Sequence, residues 1–236
     1  LISELNSHYN CIGANNGKEG LEKAIELMPD IVISDIMMPE MVGTELCHEI
    51  KSNIITSHIP VILLTAKSQV QDQIQGFESG ADAYIPKPFN IENLKANIKS
   101  ILLNRQRIKD RFSAFALGTS TKKPANADNK FILLVDEKVT NHLNNPSFGV
   151  EELAKELNMS RTHLLRKMKA ISNIGPNDYI KKVRMQKATE LLLHGEKNIT
   201  EVGEAVGFNS TSYFSSAFKS FYKISPKEFI EKNKQN

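Results

Sequence analysis

Apolar residues in the first hundred positions switch between short unbroken runs and a helical spacing. Ile31-Val32-Ile33-Ser34 and Val61-Ile62-Leu63-Leu64 are continuous runs, the pattern of strands covered on both faces of a parallel sheet. Cys11-Ile12-Gly13-Ala14 and Ala83-Tyr84-Ile85 read as shorter strands. Between these runs the spacing turns helical. Leu21, Ala24, Ile25 and Met28 share one face of a helix over 17–28, ended by Pro29 and Asp30. Further helices are expected over 43–53, over 68–79 with Gly80 closing it, and from an Asn90 cap through Leu103 toward Phe112. Leu1, Ile2 and Leu5 look like the last turns of one more helix. Strands alternating with helices predict an α/β fold with a parallel sheet.

Residues 115–129 have no helical period and are small, polar and charged, so a linker is expected. The predicted division is a first domain over 1–112, a linker over 113–129 and a second domain over 130–236. From Lys130 onward every periodic stretch is helical. This half contains a pseudo-repeat. Leu153-Ala154-x-x-Leu157-Asn158-Met159-Ser160 aligns with Val202-Gly203-x-x-Val206-Gly207-Phe208-Asn209 at an offset of 49. Leu164, Met168 and Lys169 align with Phe214, Phe218 and Lys219 at an offset of 50, so the second turn holds one extra residue. Each copy reads as helix, tight turn, helix. A long helix over 177–194 lies between them, its Tyr179, Ile180, Val183, Met185, Ala188, Leu191 and Leu192 available to both copies.

Charge sharpens this division. Residues 1–112 hold 11 Lys and Arg against 14 Asp and Glu, a net −3, whereas residues 113–236 hold 19 against 13, a net +6. An acidic front and a basic back fit a signalling module tied to a nucleic-acid module. No apolar run approaches a membrane span, and the polar first ten residues predict no signal peptide. Cys11 and Cys47 sit in apolar stretches and read as buried thiols of a reducing compartment. The six histidines are scattered, which predicts no His or Cys metal site.

Three polar residues end three predicted strands: Asp35, Thr65 and Lys87. In an open parallel sheet these ends line the ligand crevice. Singly, each is an ordinary strand-end polar group. Together they supply a carboxylate able to attack phosphorus, a hydroxyl able to bond a phosphoryl oxygen and an ammonium able to neutralise it.

The motifs Asp35-Ile36-Met37-Met38-Pro39-Glu40-Met41-Val42-Gly43, Leu63-Leu64-Thr65-Ala66, Gly80-Ala81-Asp82-Ala83-Tyr84 and Lys87-Pro88-Phe89 resemble the response-regulator receiver family over roughly the first hundred residues. The resemblance implies a flavodoxin-like fold. It makes Asp35 the phosphoacceptor, Thr65 the switch hydroxyl, Lys87 the partner lysine, Tyr84 the switch aromatic and Lys87-Pro88 a cis peptide. It also implies Mg²⁺ held by Asp35 and Met37. The family's first strand, with its acidic pair, is not found in these 236 residues. The expectation is therefore a piece of a longer polypeptide, or a receiver lacking a central strand, with an incomplete Mg²⁺ site.

In the second half Ser160 is placed to cap a helix over 161–171, with Leu164 and Met168 inward and Arg161, Thr162, Leu165, Arg166 and Lys169 outward. Its partner copy puts Thr211, Ser212, Ser215, Ser216 and Lys219 outward, and Tyr213, Phe214 and Phe218 inward or at the edge. One basic helix face is usually just solvated. Two matched units on one spacer point to the major groove of DNA. Leu153-Ala154, Met159-Ser160, Val206-Gly207-Phe208, Tyr213-Phe214, Phe218-Lys219 and Ser225-Pro226 resemble the AraC/XylS-type DNA-binding domain. The resemblance carries base-contacting roles to Thr162, Leu165, Arg166, Thr211, Ser212, Ser215 and Ser216. The family commonly has Arg where Ser216 stands, so the second unit is expected to contact mainly the DNA backbone.

The pairing of the two halves resembles the C-terminal part of Bacteroides-type hybrid two-component regulators. It implies a transcription regulator controlled by aspartyl phosphorylation, not an enzyme. The implied partners are double-stranded DNA, a histidine kinase domain in cis or trans, and a second copy on DNA. The implied location is the cytoplasm, or the cytoplasmic end of a membrane-anchored sensor, with no membrane contact by this chain. The alternative is a receiver that accepts no phosphate and serves as a dimerisation or interaction module. A haloacid-dehalogenase-type phosphatase would need a second Asp where Met37 stands.

Overall fold

The structure, a computed structural model, describes residues 1–66, 80–116, 127–195 and 198–234. The helix expected over 68–79 and most of the expected linker lie outside the described residues. The chain divides into two compact units, Leu1–Arg111 and Phe112–Asn236.

The first unit is a three-stranded parallel sheet in the order β1 (Val32–Asp35), β2 (Val61–Thr65), β3 (Ala83–Pro86). The helices α1 (Ile2–Leu5), α2 (Gly17–Leu27), α3 (Gly43–Ser52) and α4 (Ile91–Ala116) accompany it. β2 is buried at every position because it has a neighbour on each side and helices on each face. Its side chains alternate as the pleat demands. Val61 and Leu63 meet Ala24 of α2 and Leu46, Cys47 and Ile50 of α3. Ile62 and Leu64 meet Leu5, Ile85 and the Leu94 and Ile98 pair of α4. Asp82 steadies the start of β2, accepting from Val61 N at 2.8 Å and from Lys51 Nζ at 2.7 Å.

Two strand expectations change. Ile31, Val32 and Ile33 are only half-buried, because β1 pairs with β2 along one edge alone among the described residues. Cys11-Ile12-Gly13-Ala14 forms no strand. A strand exists only in a ladder, and among the described residues no strand pairs with this segment. Cys47 is fully buried as expected, but Cys11 is only half-buried. The expected Asn90 cap holds, accepting from Glu92 N at 2.7 Å ahead of α4, and the structure adds Asn16, whose side chain accepts from Glu19 N at 2.8 Å to start α2. α4 runs to Ala116, into the span expected to be linker.

The second unit is all helix among its described residues: α5 (Ala127–Asn141), α6 (Val150–Glu156), α7 (Arg161–Ser172), α8 (Pro176–His194), α9 (Ile199–Ala205), α10 (Thr211–Tyr222) and α11 (Pro226–Lys234). α5 begins before Lys130, so the expected linker is helical at this end too. The pseudo-repeat is visible in backbone hydrogen bonds. Asn158 (φ 52°) and Gly207 (φ 76°) both take the left-handed conformation after the first helix of their unit. Met159 N then bonds Ala154 O, and Phe208 N bonds Gly203 O, each at 2.9 Å. Ser160 and Ser210 cap the second helices, accepting from His163 N at 3.1 Å and Tyr213 N at 3.3 Å. Met185, Ala188 and Leu192 of α8 pack with Val202, Val206, Phe214 and Phe218.

Candidate functional site

Parallel pairing aligns the strand ends: Asp35 lies opposite Leu64, and Thr65 lies opposite Pro86. Asp35, Thr65 and Lys87 therefore emerge at one edge of the sheet. Lys87 Nζ donates to Asp35 Oδ2, and Lys87 N donates to Thr65 O at 2.7 Å. Thr65 is buried, while the Asp35 and Lys87 side chains are 34% and 39% exposed. The loop after Asp35 folds back tightly, with Gly43 N bonding Ile36 O at 2.8 Å. A Cβ on Gly43 would collide with the Asp35 carbonyl oxygen, so this close approach requires glycine. Lys87-Pro88 is cis. Tyr84 is half-buried against the α2/α3 side of the sheet.

The residues present do not fit Mg²⁺. Asp35 Oδ2 already takes Lys87, and Oδ1 accepts from Met37 N at 3.3 Å. The Met37 side chain is an exposed thioether with no hard oxygen to offer. Among the described residues no three His, Cys, Asp or Glu side chains gather to hold a metal, whereas a hard divalent cation needs several oxygen ligands.

In the second unit α7 presents Arg161, Thr162, Leu165, Arg166 and Lys169 to the exterior, and Leu164 and Met168 are fully buried beneath them. Arg161 Nη1 lies 3.6 Å from Glu151 Oε1, with both side chains more than two-thirds exposed, a pairing that holds the arginine only weakly. On α10, Ser212, Ser216 and Lys219 are exposed, while Thr211 and Ser215 are half-buried. Thr211 Oγ1 is engaged with Thr200 Oγ1 at 3.1 Å.

Sequence reasoning passed over two residues here, Lys167 and Lys182. Tyr213, expected inward or at the edge, is 68% exposed and leans on the Phe208 ring at 5.6 Å. Lys167 is fully buried, its Nζ 4.8 Å from the centre of the Phe131 ring. Its position three residues after Leu164 and four before Ile171 was the available signal. Lys182 is also buried, above the Tyr179 ring, and Tyr179 donates to Asp136 Oδ1 at 3.1 Å. Burial, then the Asp136 charge, pushes the Tyr179 phenol far up, and burial pulls the Lys182 ammonium down against Asp136.

Residues 1–99 match the response regulator receiver domain family, and residues 153–232 match a helix-turn-helix domain family. A Formosa agariphila protein named histidine kinase P4 is 41% identical over 231 residues, covering 97% of this chain and 17% of that protein. The response regulator ArlR of Staphylococcus epidermidis is 45% identical over 96 residues, covering 41% of this chain and 42% of ArlR. This chain thus spans under a fifth of the first relative and under half of the second. Among solved structures, the C-terminal domain of AraT, a response regulator from Geobacillus stearothermophilus, is 31% identical and covers 48% of this chain and 88% of its own, with a TM-score of 0.41. Among the described residues no helix is long and apolar enough to cross a membrane. The chain thus carries a response regulator receiver domain at residues 1–99 and an AraC-type helix-turn-helix domain at residues 153–232.

Proposed function

We propose that this chain binds DNA in a sequence-specific way under the control of phosphorylation at Asp35. The observation that carries the reading is the meeting of Asp35, Thr65 and Lys87 at one sheet edge. In the proposed step a carboxylate oxygen of Asp35 attacks the phosphorus of a phosphohistidine on a kinase domain, in cis or trans. The O–P bond forms, the P–N bond breaks, and the histidine nitrogen leaves with the electron pair. Lys87 neutralises the incoming charge and Thr65 bonds a phosphoryl oxygen; Tyr84 is the aromatic that reports the change.

The output is proposed to be major-groove contact by α7 through Arg161, Thr162, Leu165, Arg166 and Lys169, and by α10 through Thr211, Ser212, Ser215, Ser216 and Lys219. A homodimer on DNA, a cytoplasmic location and a domain division at 1–112, 113–129 and 130–236 belong to the same reading. The test is a duplex selected by this chain from a randomised library, bound before and after acetyl phosphate treatment. Binding that ignores both duplex sequence and Asp35→Asn overturns the proposal.

One observation favours a second reading: the described donors around Asp35 do not fit Mg²⁺. The receiver would then accept no phosphate and act as a dimerisation or interaction module. Intact mass after acetyl phosphate treatment separates the two.

A further inference from the structure

Two helix-turn-helix units that read successive turns of one duplex must be held at a fixed separation, about 34 Å for one helical turn. α8 lies between them in sequence; the second unit packs on its Met185, Ala188 and Leu192, and α7 of the first unit contacts it. Apolar contact is non-directional and does not by itself fix a rotation or a shift along the spacer.

Arg184, near the middle of α8, makes contacts of another kind. Its Nη2 donates to Asn145 O at 2.7 Å and to Phe148 O at 3.2 Å, and its Nη1 donates to Gly207 O at 3.3 Å. Asn145 and Phe148 lie in the segment that leads into α6 of the first unit, and Gly207 is the left-handed turn residue of the second. One planar guanidinium therefore grips backbone from both units.

The carbonyls it grips are themselves fixed. Phe148 N bonds Asn145 O at 3.1 Å, Ser147 N bonds Asn145 Oδ1 at 3.0 Å, and the Phe148 ring stacks on His142 at 4.4 Å. The second unit's turn rests directly on this segment. A Cβ on Gly207 would collide with Leu143 O and come within 3.0 Å of Arg184 Cζ.

We infer that Arg184 is a positioning residue that clasps the first unit's entry segment to the second unit's turn and so sets the separation of α7 and α10. The clasp is a property of the fold. Its consequence for half-site spacing rests on the proposed DNA-binding reading.

The test uses the full chain with Cys11 and Cys47 replaced by serine and spin labels at Lys155→Cys and Ser220→Cys, both exposed positions. Without DNA, the parent should give one narrow distance distribution. Arg184→Lys, which keeps the charge but loses the fork, should at least double its width while the far-ultraviolet spectrum and a single melting transition persist. Arg184→Ala should widen it further. With DNA, the unlabelled parent should lose about tenfold in affinity when the half-sites of its selected duplex are shifted by ~2 base pairs, and Arg184→Lys should lose less than about threefold. A distribution as narrow as the parent's in a folded Arg184→Lys overturns the clasp. A widened distribution in a protein whose parent selects no duplex keeps the clasp and overturns the DNA reading.

Discussion

Lys87 Nζ donates to Asp35 Oδ2 across 52 residues of chain and across the whole width of β2, which lies between their two strands. With both side chains about one-third exposed, the pair contributes little to stability, about 0.2–1 kcal/mol. Its expected role is chemical. Lys87→Ala should leave the melting temperature nearly unchanged yet slow acetyl phosphate labelling by about tenfold or more. Asp35→Asn should abolish the labelling seen by intact mass. A phosphoryl adduct that survives Asp35→Asn would place the acceptor elsewhere.

The donor set around Asp35 leads to a metal prediction. Calorimetric titration of the 236-residue chain with Mg²⁺ should show no saturable site below about 10 mM, and chelator should leave its melting unchanged. Phosphorylation of this chain should then be slow and substoichiometric. Stoichiometric labelling at millimolar Mg²⁺ would show that the described donors suffice.

Arg166 and Lys169 stand one turn apart on the exposed face of α7. Arg166→Ala should cost about 1–3 kcal/mol on the selected duplex and relax preference at one base pair. Lys169→Ala should instead weaken all duplexes alike and lower the salt slope by about one. The two are separated by measuring affinity on selected and scrambled duplexes over a salt series. Equal losses on both duplexes for Arg166→Ala would remove it from base reading.

Acid should lower the stability of the second unit slightly through identified carboxylates. The Lys138 ammonium hydrogen-bonded to Glu156 holds that carboxyl below its ordinary 4.5. Backbone N–H groups at the start of α6 do the same for Glu152, and the Ser225 N–H and hydroxyl do so for Glu228. A carboxyl lowered in the folded state stabilises fully above its unfolded value and loses that contribution as pH falls through the folded one. Melting temperature should therefore be flat above pH ~4.5 and decline below it, and Glu156→Gln with Glu228→Gln should shrink that decline. An unchanged slope in the double variant would assign the acid sensitivity to other groups.

Much of this protein is written in local order along the chain. The all-apolar run at Val61–Leu64 reads as a doubly covered strand because both of its faces must be apolar. Asn90 and Ser160 announce helix starts because a cap needs only its own next few N–H groups. The offset of 49 in the pseudo-repeat reappears as matched hydrogen bonds, since a helix-ending turn is also built from neighbours.

Other properties were settled only by tertiary structure. Cys11–Ala14 has strand composition but no ladder, because pairing needs a partner that composition cannot supply. The spacing of Leu164, Lys167 and Met168 puts a lysine on a buried face, yet only the Phe131 ring brought up from α5 makes that burial tolerable. Tyr213, read as inward or at the edge, is exposed, because Phe214, Ala217 and Phe218 already fill the inner face of α10. Arg184 carries no sequence signature at all. Its acceptors are backbone carbonyls, which every residue possesses, and only the fold decides which of them a guanidinium can reach.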